Sequence, residues 1–148
     1  RQMCIRDSSK TYEIKIRRFI AIDDCGNIIN PMVVEGQIHG GLTQGLAPAM
    51  FEELIYDEDG NILNGSLMDY LVPTAVETPN WETDQTVTPS PHHPLGAKGV
   101  AESPTVGAPP AIANAVIDAL SHLGVESMGI PITPFKVWQV LKDKGLAA

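Results

Sequence analysis

From Tyr12 onward apolar and charged positions alternate: Tyr12, Ile14 and Ile16 are apolar, and Glu13, Lys15 and Arg17 lie between them. A period of two predicts a half-buried strand. Phe19 to Ile22 continues it as a short apolar run, read as buried β-structure. Asp23-Asp24-Cys25-Gly26-Asn27 is a turn, and Ile28-Ile29 predicts a brief return to strand. Asn30-Pro31 predicts a helix start, with Asn30 as N-cap and Pro31 in the first helical position. The stretch that follows, VVEGQIHGGLTQGLAPAMFEELIY, carries Gly36, Gly40, Gly41 and Gly45. That is more glycine than a helix built only for stability would hold. Pro48 predicts a kink or break nearby.

Further along, Leu54–Tyr56 and Ile62–Leu63 read as short strands around an acidic hairpin turn at 57–61. Ser66 to Leu71 is a brief helix or turn, and WETDQTV at 81–87 alternates as one strand. Ile112, Val116 and Leu120 recur every four positions, which predicts a helix. Thr133-Pro134 starts a last helix whose apolar side holds Phe135, Val137, Trp138 and Leu141. The expected fold is mixed α/β (α+β), with short strands and about four helices.

Composition narrows the function. The 148 residues suffice for one domain with a real core. Net charge is −8, unevenly placed: residues 1–22 carry +4 and the rest −12. An acidic body argues against nucleic-acid binding, which needs cations to neutralise phosphate. No apolar run approaches a membrane span, and no secretory signal is visible. The two cysteines, Cys4 and Cys25, have no metal-ligand spacing, and a reducing, cytoplasmic compartment fits them. The adjacent His92 and His93 point different ways in extended chain, so no metal site is assigned. His39 reads as a packing histidine. Residues 1–8, RQMCIRDS, are expected to be a non-native scar or a disordered start, leaving 9–148 as the domain proper.

The chemistry concentrates between Pro94 and Leu120, PLGAKGVAESPTVGAPPAIANAVIDAL. Its glycine-rich first half holds one carboxylate, Glu102, among small and apolar residues, and Ser103-Pro104 suits a helix start. From these residues alone Glu102 is either a solvated loop acid or a base presented to a bound group. Gln37 is likewise either a surface amide or a neutral hydrogen-bond donor to a phosphate.

KGVAESPTVGAPPAIANAVIDAL resembles the active-site segment of the molybdenum hydroxylases, the xanthine dehydrogenase and aldehyde oxidase family. The nearest branch is the large subunit of aerobic carbon-monoxide dehydrogenase and its relatives. EGQIHGGLTQGLA resembles the family segment beneath the molybdopterin cofactor, and GSLMDY a further family segment. Ala101 stands where the family usually has glycine. The resemblance runs from about Tyr12 to Lys142. It implies the C-terminal portion of the second molybdenum-cofactor-binding domain, a fragment of a much longer large subunit. It implies Glu102 as catalytic base, and cofactor contacts from Gln37, Lys98, Gly99, Val100 and Ala101; Gln44 is given a structural role. Lys98, four residues before Glu102, helps keep the acid ionised if it folds toward it.

The implied reaction is oxidative hydroxylation with water as oxygen source. The implied cofactor is molybdenum-molybdopterin, in its cytosine dinucleotide form. In the carbon-monoxide branch a copper is bridged from an earlier part of the subunit. Iron–sulfur and FAD partner subunits are implied too, and this chain has no cysteine pattern to hold a cluster. CO, aldehydes, purines and other heterocycles all stay open as substrates. A different class of reading, a non-catalytic scaffold domain, is favoured by Ala101.

Overall fold

The computed structural model describes residues 3–7 and 11–147, with side chains from residue 11 onward. Its elements, in chain order, are β1 (Met3–Asp7), β2 (Ile14–Asp23), α1 (Pro31–Met50), β3 (Trp81–Gln85), α2 (Glu102–Leu120) and α3 (Pro134–Asp143). A 3₁₀ turn at Ser121–Leu123 follows α2. The mixed α/β class is as expected, but with three α-helices rather than about four: Ser66 to Tyr70 forms only a turn, closed by the Tyr70 amide on the Ser66 carbonyl at 2.8 Å. The three strands form one sheet in the order β1-β2-β3. β1 pairs antiparallel and β3 parallel with β2. Strand β1 lies where a scar or disordered start was expected, and Met3 pairs with Phe19 and Asp7 with Ile14.

Strand β2 does not keep one phase. Cys4 faces Arg18 and Ile5 faces Ile16, so Arg17 is an extra residue in β2. Such a bulge moves everything after it to the other face. Before it the buried residue is Ile14; after it Phe19, Ala21 and Asp23 are buried, and Ile22 is 52% exposed. The run from Phe19 to Ile22 is therefore not buried throughout, as expected, but alternates. The bulge also turns an aspartate, Asp23, into the interior.

Against this face pack the two long helices. Phe19 and Ala21 cluster with Ile38, Leu42, Leu46 and Ala49 of α1 and with Ala108 and Ile112 of α2. Trp81 of β3 meets Phe19 edge to face at 5.2 Å, and its indole donates to Thr43 Oγ1 at 3.2 Å. A second cluster joins Ile14, Val116 and Leu120 to Val125, Ile132, Val137 and Leu141. Helix α1 starts as expected: the Val33 amide donates to Asn30 Oδ1 at 3.3 Å, with Pro31 next. It ends at Met50, two residues past Pro48. Thr133 caps α3, whose Val137 and Leu141 are buried while Phe135 is 64% exposed, outside the apolar side assigned to it.

Segment 52–80 departs further from expectation. Its hairpin is a turn with a single bridge, Tyr56 to Ile62, and no extended strands form there. Asn64 stands in for missing ladder bonds: its side chain accepts from the Ile55 amide and donates to the Glu53 carbonyl. Ile28-Ile29 forms no strand either; the bridge falls instead between Gly26 and Ala97.

Candidate functional site

Two helix faces make the site. On α1, Gly36, Gln37, Gly40, Gly41 and Gln44 share one side, at the three- and four-residue spacing that aligns helical neighbours. On α2, Glu102 opens the helix, and Thr105 and Val106 lie one turn on. Together with Ala101 they line a shallow groove of about 620 Å³. Glu102 is the only charged residue in that lining. Its carboxylate complements the helix dipole in the first turn of α2. A more apolar groove of about 430 Å³ lies elsewhere, between Ile14–Ile16, Met50, Phe51 and Val76–Pro79, and no candidate residue lines it.

The four glycines of α1 divide into two jobs. A methyl at Gly41 would lie 2.6 Å from Pro104 Cγ, and one at Gly45 would lie 2.7 Å from the Thr105 carbonyl oxygen. These two let α1 and α2 come together. A methyl at Gly36 or Gly40 would meet nothing within 4 Å. These two keep the groove wall low, a cradle for a flat group lying across the helix. The two amides, Gln37 and Gln44, are exposed beside it. Amides and bare backbone beside one acid suit a large polar cofactor carrying phosphate, so the residues present fit a pterin.

Lys98 does not turn toward Glu102. Its ammonium pairs with Asp24 Oδ1 at 2.9 Å, and its amide donates to the Cys25 carbonyl at 2.7 Å. Gly99 and Val100 bridge from there to α2, and Ala101 sits at the N-cap with φ −60°. That backbone conformation needs no glycine, so the alanine fits without strain. His39 approaches Thr83 Oγ1 at 3.4 Å on the other side of α1, away from Glu102. Cys25 is buried and free.

Asp24 accepts from the Gly26 amide at 2.9 Å and the Thr88 amide at 3.1 Å besides pairing with Lys98. Hydrogen bonds from Thr88 first, then from Lys98 and Gly26, hold its carboxyl well below the usual carboxylate range. A carboxyl with a folded pKa below its ordinary 3.8 contributes stability that is complete above that value and is lost as pH falls through the folded one. Asp24→Asn is therefore expected to lower the thermal midpoint at neutral pH. Its gap to the wild type should narrow once pH drops below about 4. Thermal melts across that range check this; a gap that widens in acid would contradict it.

Sequence reasoning passed over Asp23, Asp24 and Ser103. Ser103 Oγ donates to Asp23 Oδ1, from the second residue of α2 to the last of β2. The one available signal was two adjacent aspartates at a strand end, which reads equally well as a solvated turn.

Residues 8–79 match the molybdopterin cofactor-binding domain. The chain belongs to the molybdenum hydroxylases, as a stretch of their molybdopterin-binding large subunit. It is 58% identical over 146 residues to the carbon monoxide dehydrogenase large chain of Hydrogenophaga pseudoflava, covering 98% of this chain and 18% of that protein. It is 43% identical to the nicotine 6-hydroxylase large subunit of Paenarthrobacter nicotinovorans, over 87% of this chain and 16% of that one. The solved Cu,Mo-CO dehydrogenase superposes with a TM-score of 0.94 at 53% identity, covering 99% of this chain and 18% of its own. This chain thus spans under a fifth of the length of these relatives. No helix among the described residues is long and apolar enough to cross a membrane.

Proposed function

We propose that this chain forms one wall of the molybdopterin site of a molybdenum hydroxylase, with Glu102 as its catalytic base. The observation that carries the proposal is the single groove in which Gln37, Gly36, Gly40 and Glu102 meet. When bound, the molybdenum cofactor supplies two-electron redox chemistry at a substrate carbon. The protein's own part is to hold the cofactor, orient it and move a proton. Gln37 would donate its amide hydrogens to a phosphate oxygen of the pterin cofactor, and the backbone of Lys98, Gly99, Val100 and Ala101, of which Ala101 lines the groove, would supply further contacts to it. Glu102 takes a proton at its carboxylate oxygens from the attacking oxygen nucleophile, making it stronger. The cytosine dinucleotide form of the cofactor, iron–sulfur and FAD partner subunits and a cytoplasmic setting belong to the same proposal. A carbon-monoxide-type substrate is favoured by the 58% identity to a carbon monoxide dehydrogenase large chain. A copper in such an enzyme would come from outside this chain.

Gln37→Ala tests the cofactor half of the reading in the assembled enzyme. Losing one hydrogen bond to a charged group costs about 1.5–3 kcal/mol, so cofactor retention should weaken roughly tenfold or more. Turnover per bound molybdenum should change little. Normal molybdenum content with collapsed turnover per molybdenum would reverse the assignment.

A further inference from the structure

We propose that Asp23 and Asp24 are positioning residues for Glu102: the acidic end of β2 clasps the segment that carries the base, on both of its flanks. The inference rests on the base role of Glu102 proposed above. On the upstream flank, Lys98 is held by its side chain on Asp24 and by its amide on the Cys25 carbonyl. The same turn grips the preceding residues. The Asn27 amide donates to the Gly96 carbonyl at 3.1 Å, its side chain donates to the Leu95 carbonyl at 2.9 Å, and Gly26 bridges to Ala97. The approach is so close that a methyl on Gly26 would lie 2.1 Å from the Gly96 oxygen. On the downstream flank, Ser103 donates its hydroxyl to Asp23 Oδ1. Residues 99–102 are strung between these anchors.

Asp23 is 4% exposed, and its Oδ2 is buried with no hydrogen-bond partner among the described residues. A buried carboxylate satisfied by one hydroxyl is a costly way to fill space, and an apolar residue would pack there at lower cost. What the carboxylate does supply is direction. The first turn of α2 has no side-chain cap of its own, and Ala101 offers none. Ser103, which could have turned back on the helix, is spent on β2 instead. The bulge at Arg17 is what makes this contact available, since it puts Asp23 on the interior face. The geometry of the base is thus written into the sheet, by residues that do not themselves line the cofactor groove.

The test uses the assembled, molybdenum-loaded enzyme with Ser103→Ala, Ser103→Thr and Asp23→Asn. Two readouts are taken: amide hydrogen exchange over residues 99–105, and the rate of substrate reduction of molybdenum, per bound metal. Misplacement of a catalytic group by about 1 Å can cost about a hundredfold. Ser103→Ala should therefore speed exchange in that segment and slow reduction, each by about tenfold or more, with exchange over 108–120 unchanged. Ser103→Thr keeps the hydroxyl and Asp23→Asn keeps an acceptor, so both should stay near wild type. In a Glu102→Gln background, Ser103→Ala should slow reduction no further. A full additional loss in that background, or wild-type exchange in Ser103→Ala, would overturn the clasp. The reading beneath it fails separately: Glu102→Gln reducing at the wild-type rate removes the base role, and the exchange arm then still judges the clasp.

Discussion

Replacing Gly41 and Gly45 together by alanine is expected to force α1 and α2 apart. The added methyl at Gly41 would sit 2.6 Å from a proline ring carbon, and that at Gly45 would sit 2.7 Å from the Thr105 carbonyl oxygen and 2.8 Å from Ala108 Cβ. Rings, backbone and Cβ atoms cannot swing aside, so the helices themselves must move. Overpacking of this kind costs about 1–3 kcal/mol per site. Alanine regains up to about 1 kcal/mol per site as a better helix former. Rigid neighbours put the steric cost at its upper end, so the pair should lose about 2–4 kcal/mol of local stability. Native-state hydrogen exchange over residues 38–49 and 104–116 in the full subunit reads this directly. The control pair is Gly36→Ala with Gly40→Ala, where nothing stands within 4 Å. There the fold should hold or gain while molybdenum content falls, because the methyls fill the groove. Unchanged protection in the first pair would contradict the packing role, and normal molybdenum in the second the cradle.

That division of the glycines could not be read from the sequence. Four glycines on one helix announce a close approach, but not whether backbone or ligand does the approaching. Helix α2 was legible because Ile112, Val116 and Leu120 sit on one stripe, and all three are buried. The start of α1 was legible because Asn30 and Pro31 can do little else together. Strand β2 was legible as a strand but not in phase, since a bulge such as the one at Arg17 depends on the partner strand. Asp23 was lost with the phase, and so was its partner Ser103. The condition under which Lys98 would support Glu102, folding toward it, is not met for a related reason: the ion pair Lys98 makes is with Asp24, far away in sequence. Segment 52–80 misled because its large apolar residues stay half or more exposed in many cases, Leu67 at 85% and Met68 at 89%, so they build no strand face against the core. Glu102 and Gln37 stood out through family resemblance. Taken singly, an acid and an amide on exposed helix positions carry no signal; the structure adds that both line one groove.

Glu102→Gln is expected to have the largest effect on function. The substitution keeps size, shape and one acceptor oxygen, and removes the ability to take a proton. General-base catalysis contributes about 10²–10⁴-fold, so the reductive half-reaction should slow by that order. Glu102 is exposed at the first position of α2 and is not part of either core cluster. Folding and cofactor content should therefore stay close to wild type. This separates Glu102 from Gln37, whose loss should remove cofactor and leave the chemistry per molybdenum intact. The decisive measurement is stopped-flow reduction of the molybdenum centre by substrate, wild type against Glu102→Gln, normalised to bound metal. A rate lower by about a hundredfold or more at equal molybdenum content is the result this account predicts. Rates that agree within a few-fold would contradict it and turn this wall of the groove into scaffold.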